Sequence, residues 1–137
     1  MQGTVADKTR VPLNGLPVLC HSIRAFLASG CIDRFTIVTR DDAQKTELKA
    51  ALRQIDLQGT PLDWVLGGSE RQDSVYNALR SQPETCTHVF IHDSARPLVS
   101  TDSIQALHAA VRRDRAAVLA HPVTDTIKRI PTAAQLT

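Results

Sequence analysis

The chain has 137 residues, of which 42% are apolar, and a formal net charge of +2 from 16 Lys and Arg against 14 Asp and Glu. That is one domain's worth of globular protein, not a disordered chain, and its basic residues are dispersed rather than gathered into a nucleic-acid-binding arm. No run approaches the ~20 apolar residues of a membrane span, and residues 1–10 lack the apolar core of a signal peptide. Aromatic residues make up only 4%, so the core must be built from Leu, Ile, Val and Ala. Cys20, Cys31 and Cys86 form no Cys-x-x-Cys pair. Zinc and disulfide frameworks are therefore disfavoured, and the expectation is three buried free thiols in a soluble, cytoplasmic protein.

In chain order, Leu19, Ile23, Phe26 and Leu27 fall on one helical face, and Gly30 is placed to stop that helix. Residues 35–39 (Phe-Thr-Ile-Val-Thr) read as a short buried strand. Asp41 with Gln44 forms a capping-box pattern ahead of Leu48, Ala51, Leu52 and Ile55, and Gly59-Thr60-Pro61 ends the segment. Residues 62–66 read as the next strand, followed by the Gly67-Gly68 turn. A second capping-box match, Ser69 with Gln72, leads into a helix carrying Val75, Ala78 and Leu79. Residues 89–91 read as a strand ending at His92-Asp93. Thr101 or Asp102 is placed to cap a helix with Ile104, Leu107 and Val111, residues 116–120 read as a last core strand, and residues 126–130 as the start of a projecting arm.

Strands alternating with helices imply a mostly parallel α/β sheet. The chain nevertheless opens on a polar loop and a helix. In doubly wound sheets the first strand usually lies near the middle, so a sheet without it would leave two neighbouring strands short of a partner.

In such sheets ligands bind beyond the carboxyl ends of the strands. Three loops fall there. Gly67-Gly68-Ser69-Glu70-Arg71-Gln72-Asp73-Ser74-Val75 places two glycines before a helix whose free N–H groups suit an anion or a base edge. By spacing alone this is most simply an ordinary strand-to-helix turn. In His92-Asp93-Ser94-Ala95-Arg96-Pro97, a strand-end carboxylate suits Mg²⁺ or a ribose hydroxyl, and an arginine three residues later suits a phosphate. A local Asp–Arg pair stiffening the loop fits equally well. The third loop, from Pro122-Val123-Thr124-Asp125-Thr126 to Arg129, offers hydroxyls and cations, although a solvated hairpin is the simpler reading. Lys8, in Asp7-Lys8-Thr9-Arg10, could offset charge near a triphosphate, although most loop lysines do nothing specific.

Taken in order, Pro17-Val18-Leu19 with His21-Ser22, the Gly67–Val75 segment, His92-Asp93-Ser94-Ala95-Arg96-Pro97 and Pro122-Val123-Thr124-Asp125-Thr126-Ile127-Lys128 resemble the 2-C-methyl-D-erythritol 4-phosphate cytidylyltransferases. The resemblance implies a Rossmann-like nucleotidyltransferase sheet. It also implies Mg²⁺-assisted attack by the methylerythritol phosphate on the α-phosphate of CTP, in isoprenoid-precursor biosynthesis. Carried over by motif, Lys8 and Asp93 are the catalytic candidates, and Gly68, Ser69, Ser74, Asp93 and Ser94 are nucleotide-binding. Asp93, Arg96 and Thr126 hold the acceptor, and Asp93 holds the metal. His92 takes no proton-transfer role. The partners implied are CTP and a small phosphorylated polyol, with no nucleic acid and no membrane, in a homodimer formed through the arm.

The family opens with a strand and a glycine-rich Ala-Ala-Gly-x-Gly-x-Arg-Met loop, and Met1 coincides with the methionine ending that loop. The expectation is a single partial domain over residues 1–137, its first strand missing and residues 123–137 opening a β-arm. The alternatives are a cytidylyltransferase acting on ribitol 5-phosphate, and a catalytically inactive fragment.

Overall fold

The computed structural model describes residues 7–126. Lys8–Arg10 form a 3-10 turn whose amino end is tied by Asp7, which accepts from the Thr9 amide and hydroxyl at 3.1 and 2.6 Å. A small antiparallel hairpin follows, β1 (Pro12–Leu13) against β2 (Leu16–Pro17). Asn14 and Gly15 turn it with φ of 48° and 82°. Paired positive φ values are what a tight right-twisted hairpin requires, and Asn-Gly accepts them at least cost.

Helix α1 (Val18–Ser29) ends at Gly30, whose φ of 68° places it in the left-handed region, as the sequence predicts. Strand β3 (Phe35–Thr39), helix α2 (Asp42–Leu52) and strand β4 (Leu62–Leu66) form a βαβ unit. Its two strands pair in parallel, from Phe35 opposite Leu62 to Thr39 opposite Leu66. Asp41 caps α2 by accepting from the Gln44 amide at 2.7 Å. The helix stops at Leu52 with Arg53 as its cap, ahead of the predicted Gly59 terminus, and leaves Ile55 outside it.

Alternation along β3 and β4 divides two layers. Phe35, Ile37, Leu62 and Trp64 face the main core, where Leu19, Cys20 and Ile23 of α1 meet Leu48 and Leu52 of α2. Thr36 faces the other way and accepts from the Gln82 amide at 3.0 Å, just past helix α3 (Arg71–Arg80). Helix α4 (Thr101–Asp114) packs on α1, burying Ile104 and donating from Gln105 to the Ser29 carbonyl at 3.0 Å. Among the described residues no helix is long and apolar enough to cross a membrane.

Several expectations need correction. The capping box of α3 lies one residue later than predicted, with Glu70 as the cap and Asp73 as its reciprocal partner. Glu70 and Asp73 flank the turn at the same three-residue spacing as Ser69 and Gln72, and Asp73 also accepts from the Ser69 hydroxyl at 3.0 Å. Ser100, not Thr101 or Asp102, caps α4. Cys20 is buried but Cys31 is half-buried and Cys86 is exposed, because Cys86 sits in the polar turn after α3.

Residues 89–91 and 116–120, both read as strands, carry no ladder among the described residues. A strand is defined by a paired neighbour, and among the described residues none pairs with either segment; apolar side chains there are exposed, Val89 by 48%, Ile91 by 58% and Val118 by 84%. The fold is thus α/β with a parallel pair, and among the described residues the ladder comprises β3 and β4 apart from the hairpin. Of the projected arm, residues 121–126 are exposed and outside any helix or strand, and the remainder lies outside the described residues.

Candidate functional site

The carboxyl end of β4 and the end of residues 89–91 deliver two loops to one rim. Gly67 continues directly from Leu66, and its amide donates to the Thr39 carbonyl at 2.8 Å, holding the two strand ends together. The loop then presses back on its own helix. The Gly68 amide donates to Ser74 Oγ at 3.1 Å. A Cβ on Gly68 would lie 2.2 Å from Asp73 Cβ, and one on Gly67 would lie 2.8 Å from Ser74 Oγ. The glycines are thus required by contact with α3, whatever ligand the loop also meets. Ser69 and Glu70 both donate to Asp73, at 3.0 and 3.1 Å, which fixes the turn and aims the free N–H groups of the first helical turn outward.

The second loop follows residues 89–91. Asp93 is the meeting point. Arg71 donates to its Oδ1 at 3.0 Å and Arg96 Nε approaches its Oδ2 at 3.1 Å. Arg71 opens α3, three residues after Gly68, so the Gly-Gly-Ser loop and the Asp-Ser-Ala-Arg loop are joined through one side chain. The hydrogen bond from Arg71, followed by the charges of Arg71 and Arg96, holds the Asp93 carboxyl below its ordinary range. The pairs are solvent-exposed, with the two arginine side chains 71% and 78% accessible. Each therefore adds at most about 1 kcal/mol to folding, and both guanidiniums are open to a competing phosphate.

Behind this loop His92 is half-buried. Its Nε2 lies 3.1 Å from the Arg96 carbonyl and 3.3 Å from Ser22 Oγ. A carbonyl only accepts, so Nε2 carries the proton. Burial lowers the imidazole pKa, against the opposing effect of the Arg96 carbonyl bond. Phe26 stacks edge-on against His92 with ring centroids 5.2 Å apart. His92 is thus a strut under the Asp93–Arg96 turn.

Lys8 projects into solvent from the 3-10 turn. That turn is anchored to the start of α2, where Gln44 donates to Asp7 Oδ2 at 2.5 Å and Arg10 pairs with Glu47 at 2.6 Å. Burial tends to raise the Asp7 pKa, but the hydrogen bonds from Thr9 and Gln44 outweigh it and hold the group low. The turn is thus docked on α2, the helix that follows β3, and no hydrogen bond or ion pair among the described residues joins Lys8 to Asp93. Ser94 lies in the turn after Asp93 and is half-buried. Thr126 is exposed, and no hydrogen bond among the described residues connects it to the rim.

The geometry therefore brings together Gly68, Ser69, Ser74, Asp93, Ser94 and Arg96 through Arg71, leaves Lys8 on a separate turn docked to α2, and leaves Thr126 apart. The sequence reading assigned no role to Arg71, which makes the bridge. It lies inside the quoted motif at the first position of a helix beside a glycine loop, but a linear pattern does not show how far a long side chain reaches. Asp7 and Gln44 were likewise missed as the anchors of Lys8.

As a cation site the donor set is sparse. Among the described residues no three His, Cys, Asp or Glu side chains gather. Asp93 alone fits a Mg²⁺ that arrives with nucleotide phosphates, since such ions take one or two carboxylates and complete their shell with phosphate and water.

Comparison with known proteins points the same way. The family model for IspD, 2-C-methyl-D-erythritol 4-phosphate cytidylyltransferase, matches residues 2–137. A 2-C-methyl-D-erythritol 4-phosphate cytidylyltransferase of Synechococcus sp. (strain CC9902) is 38% identical over 128 residues, 93% of this chain and 55% of the relative. A bifunctional enzyme IspD/IspF of Desulfotalea psychrophila is 38% identical over 115 residues, covering 84% of this chain and 29% of that protein. The crystal structure of 4-diphosphocytidyl-2C-methyl-D-erythritol synthase from Anaerococcus prevotii superposes with a TM-score of 0.80 at 25% identity, over 90% of this chain and 55% of the other. The chain thus spans about half the length of most of these relatives.

Proposed function

The chain belongs to the 2-C-methyl-D-erythritol 4-phosphate cytidylyltransferase family, and from that premise we propose that it takes part in cytidylyl transfer from CTP to 2-C-methyl-D-erythritol 4-phosphate. The observation that carries the proposal is the Arg71–Asp93 contact at 3.0 Å, which makes one site of the glycine loop and the acid–arginine loop. In this reading residues 1–137 act as one nucleotidyltransferase domain, with residues 123–137 opening an arm through which two copies pair. The place of action is the cytoplasm, in keeping with three unpaired cysteines.

Gly68, Ser69 and Ser74 take the cytosine end of CTP, since backbone and hydroxyl groups offer both donors and acceptors to a base edge. Asp93 takes the ribose side, with Ser94 beside it, and Arg96 and Thr126 take the acceptor. Lys8 lies against the triphosphate. An oxygen of the acceptor phosphate attacks the α-phosphorus of CTP, a new P–O–P link forms, and pyrophosphate departs with the electron pair of the broken bond. Asp93 would hold a Mg²⁺ that arrives with the nucleotide, and that ion would supply neutralisation of phosphate charge. The chain itself positions the two substrates and places fixed positive charge where negative charge develops.

Pyrophosphate release with CTP and 2-C-methyl-D-erythritol 4-phosphate, measured beside ribitol 5-phosphate, is the test. We expect release with the first acceptor to exceed that with the second. Asp93→Asn should lower it by roughly 10²–10³-fold. Preference for ribitol 5-phosphate would overturn the acceptor, and no release with either would overturn the transfer activity.

A further inference from the structure

The side chain of Gln44 uses both ends of its carboxamide. Its Oε1 accepts from the Arg40 amide at 2.8 Å, and its Nε2 donates to Asp7 Oδ2 at 2.5 Å. Asp7 in turn accepts through Oδ1 from the Thr9 amide and hydroxyl, closing the turn that carries Lys8. On the other side, the Arg40 N–H belongs to the same peptide unit as the Thr39 carbonyl, which accepts from the Gly67 amide at 2.8 Å. That unit is planar and does not twist about its C–N bond. It is therefore held from two directions, by Gly67 and by Gln44. One unbroken chain of hydrogen bonds runs from the glycine loop, through the end of β3 and Gln44, to Asp7 and Thr9.

The chain needs an acceptor and a donor on one side chain. Glutamine is the one unbranched side chain of that length that carries both. The helix does not explain the arrangement, because Asp41 caps α2 through the Gln44 backbone amide and leaves the carboxamide out of the cap. The Arg10–Glu47 pair, which also ties the turn to α2, is exposed on both sides and contributes little.

We propose that Gln44 is a positioning residue for the nucleotide: it sets the Lys8 turn at a fixed place relative to the Gly67-Gly68-Ser69 loop, so that phosphate and base are met by one frame and not by two independent loops. The inference rests on the nucleotide site proposed above and adds the residue that couples its two ends. Gln44 acts through Asp7 and Arg40.

The test exchanges donor and acceptor. Gln44→Glu keeps the acceptor for Arg40 and removes the donor to Asp7. Adding Asp7→Asn returns a donor at the Oδ2 position while Oδ1 still accepts from Thr9, so the double variant rebuilds the chain. Both variants keep the helix cap, since Asp41 bonds the backbone of residue 44. On the full chain, dissociation constants for CTP with Mg²⁺ and for cytidine are read from the amides of residues 67–74, beside the exchange rate of the Thr9 amide. Gln44→Glu should weaken CTP by about 10-fold, leave cytidine within about 2-fold, and speed Thr9 exchange by about 10-fold. The double variant should restore CTP affinity and Thr9 exchange together. An unchanged CTP affinity, an equal loss for CTP and cytidine, or a double variant that restores neither quantity would overturn the role of Gln44 alone. Absence of CTP binding by the unsubstituted chain would instead overturn the nucleotide site, and this role with it.

Discussion

At the scale of single residues, the site depends on contacts that leave little latitude. Gly68 has no space for a side chain, because a Cβ would sit 2.2 Å from Asp73 Cβ. Gly68→Ala should force the loop away from α3 and destabilise the fold by about 1–3 kcal/mol, read as a fall in the urea midpoint. An unchanged midpoint would show that the loop has room. Arg71 holds the Asp93 carboxyl low through its hydrogen bond, so Arg71→Gln should move the Asp93 titration, followed by carbon-detected NMR, up toward the ordinary carboxylate range. The sign for stability follows from that. A carboxyl depressed in the folded state contributes above its unfolded pKa and loses the contribution as pH falls through the folded value. Arg71→Gln should therefore weaken the acid-range dependence of stability, and no movement of the Asp93 titration would separate Arg71 from it. Much of this was legible beforehand. Gly68, Ser69, Ser74, Asp93 and Arg96 stand out by residue type at strand ends. The bridge from Arg71 did not, because its reach depends on how close two loops come in space.

At the scale of elements, α1 and α4 clamp the back of the site. Ile104 is 1% exposed against α1, so Ile104→Ala should cost about 2–5 kcal/mol in chemical denaturation. A cost under ~1 kcal/mol would mean α4 is only loosely docked. His92 links this packing to the Asp93–Arg96 turn. Its pKa is lowered by burial, so the unfolded chain binds more protons over the window just below the ordinary imidazole range. Stability should be full above that range and fall as pH drops through it toward the folded pKa, and His92→Gln should flatten this slope in thermal melts taken across weakly acidic pH. An unaltered slope would place the proton uptake elsewhere. The helices and the two paired strands were readable from periodicity. Asn14-Gly15 carried a hairpin signal that went unused because its strands have only two residues each. Residues 89–91 and 116–120 misled for a different reason: apolar composition reports a wish for burial, whereas a ladder also needs a neighbour, and local sequence does not encode whether one lies alongside.

For the whole molecule, the layers converge on a single consequence. Two strand ends locked by the Gly67–Thr39 bond, and a third segment held by Phe26 and Ser22, present the glycine loop and Asp93 at one rim, where Arg71 and Arg96 are open to phosphate. If that rim is one nucleotide site, both loops must respond to the same ligand at the same concentration. Titrating the ¹⁵N-labelled protein with Mg²⁺ and CTP measures this directly. The amides of residues 67–74 and of residues 92–96 should shift together along one saturation curve with a common Kd. Shifts confined to one loop, two unrelated curves, or no shift at all would contradict a shared cytidine nucleotide site.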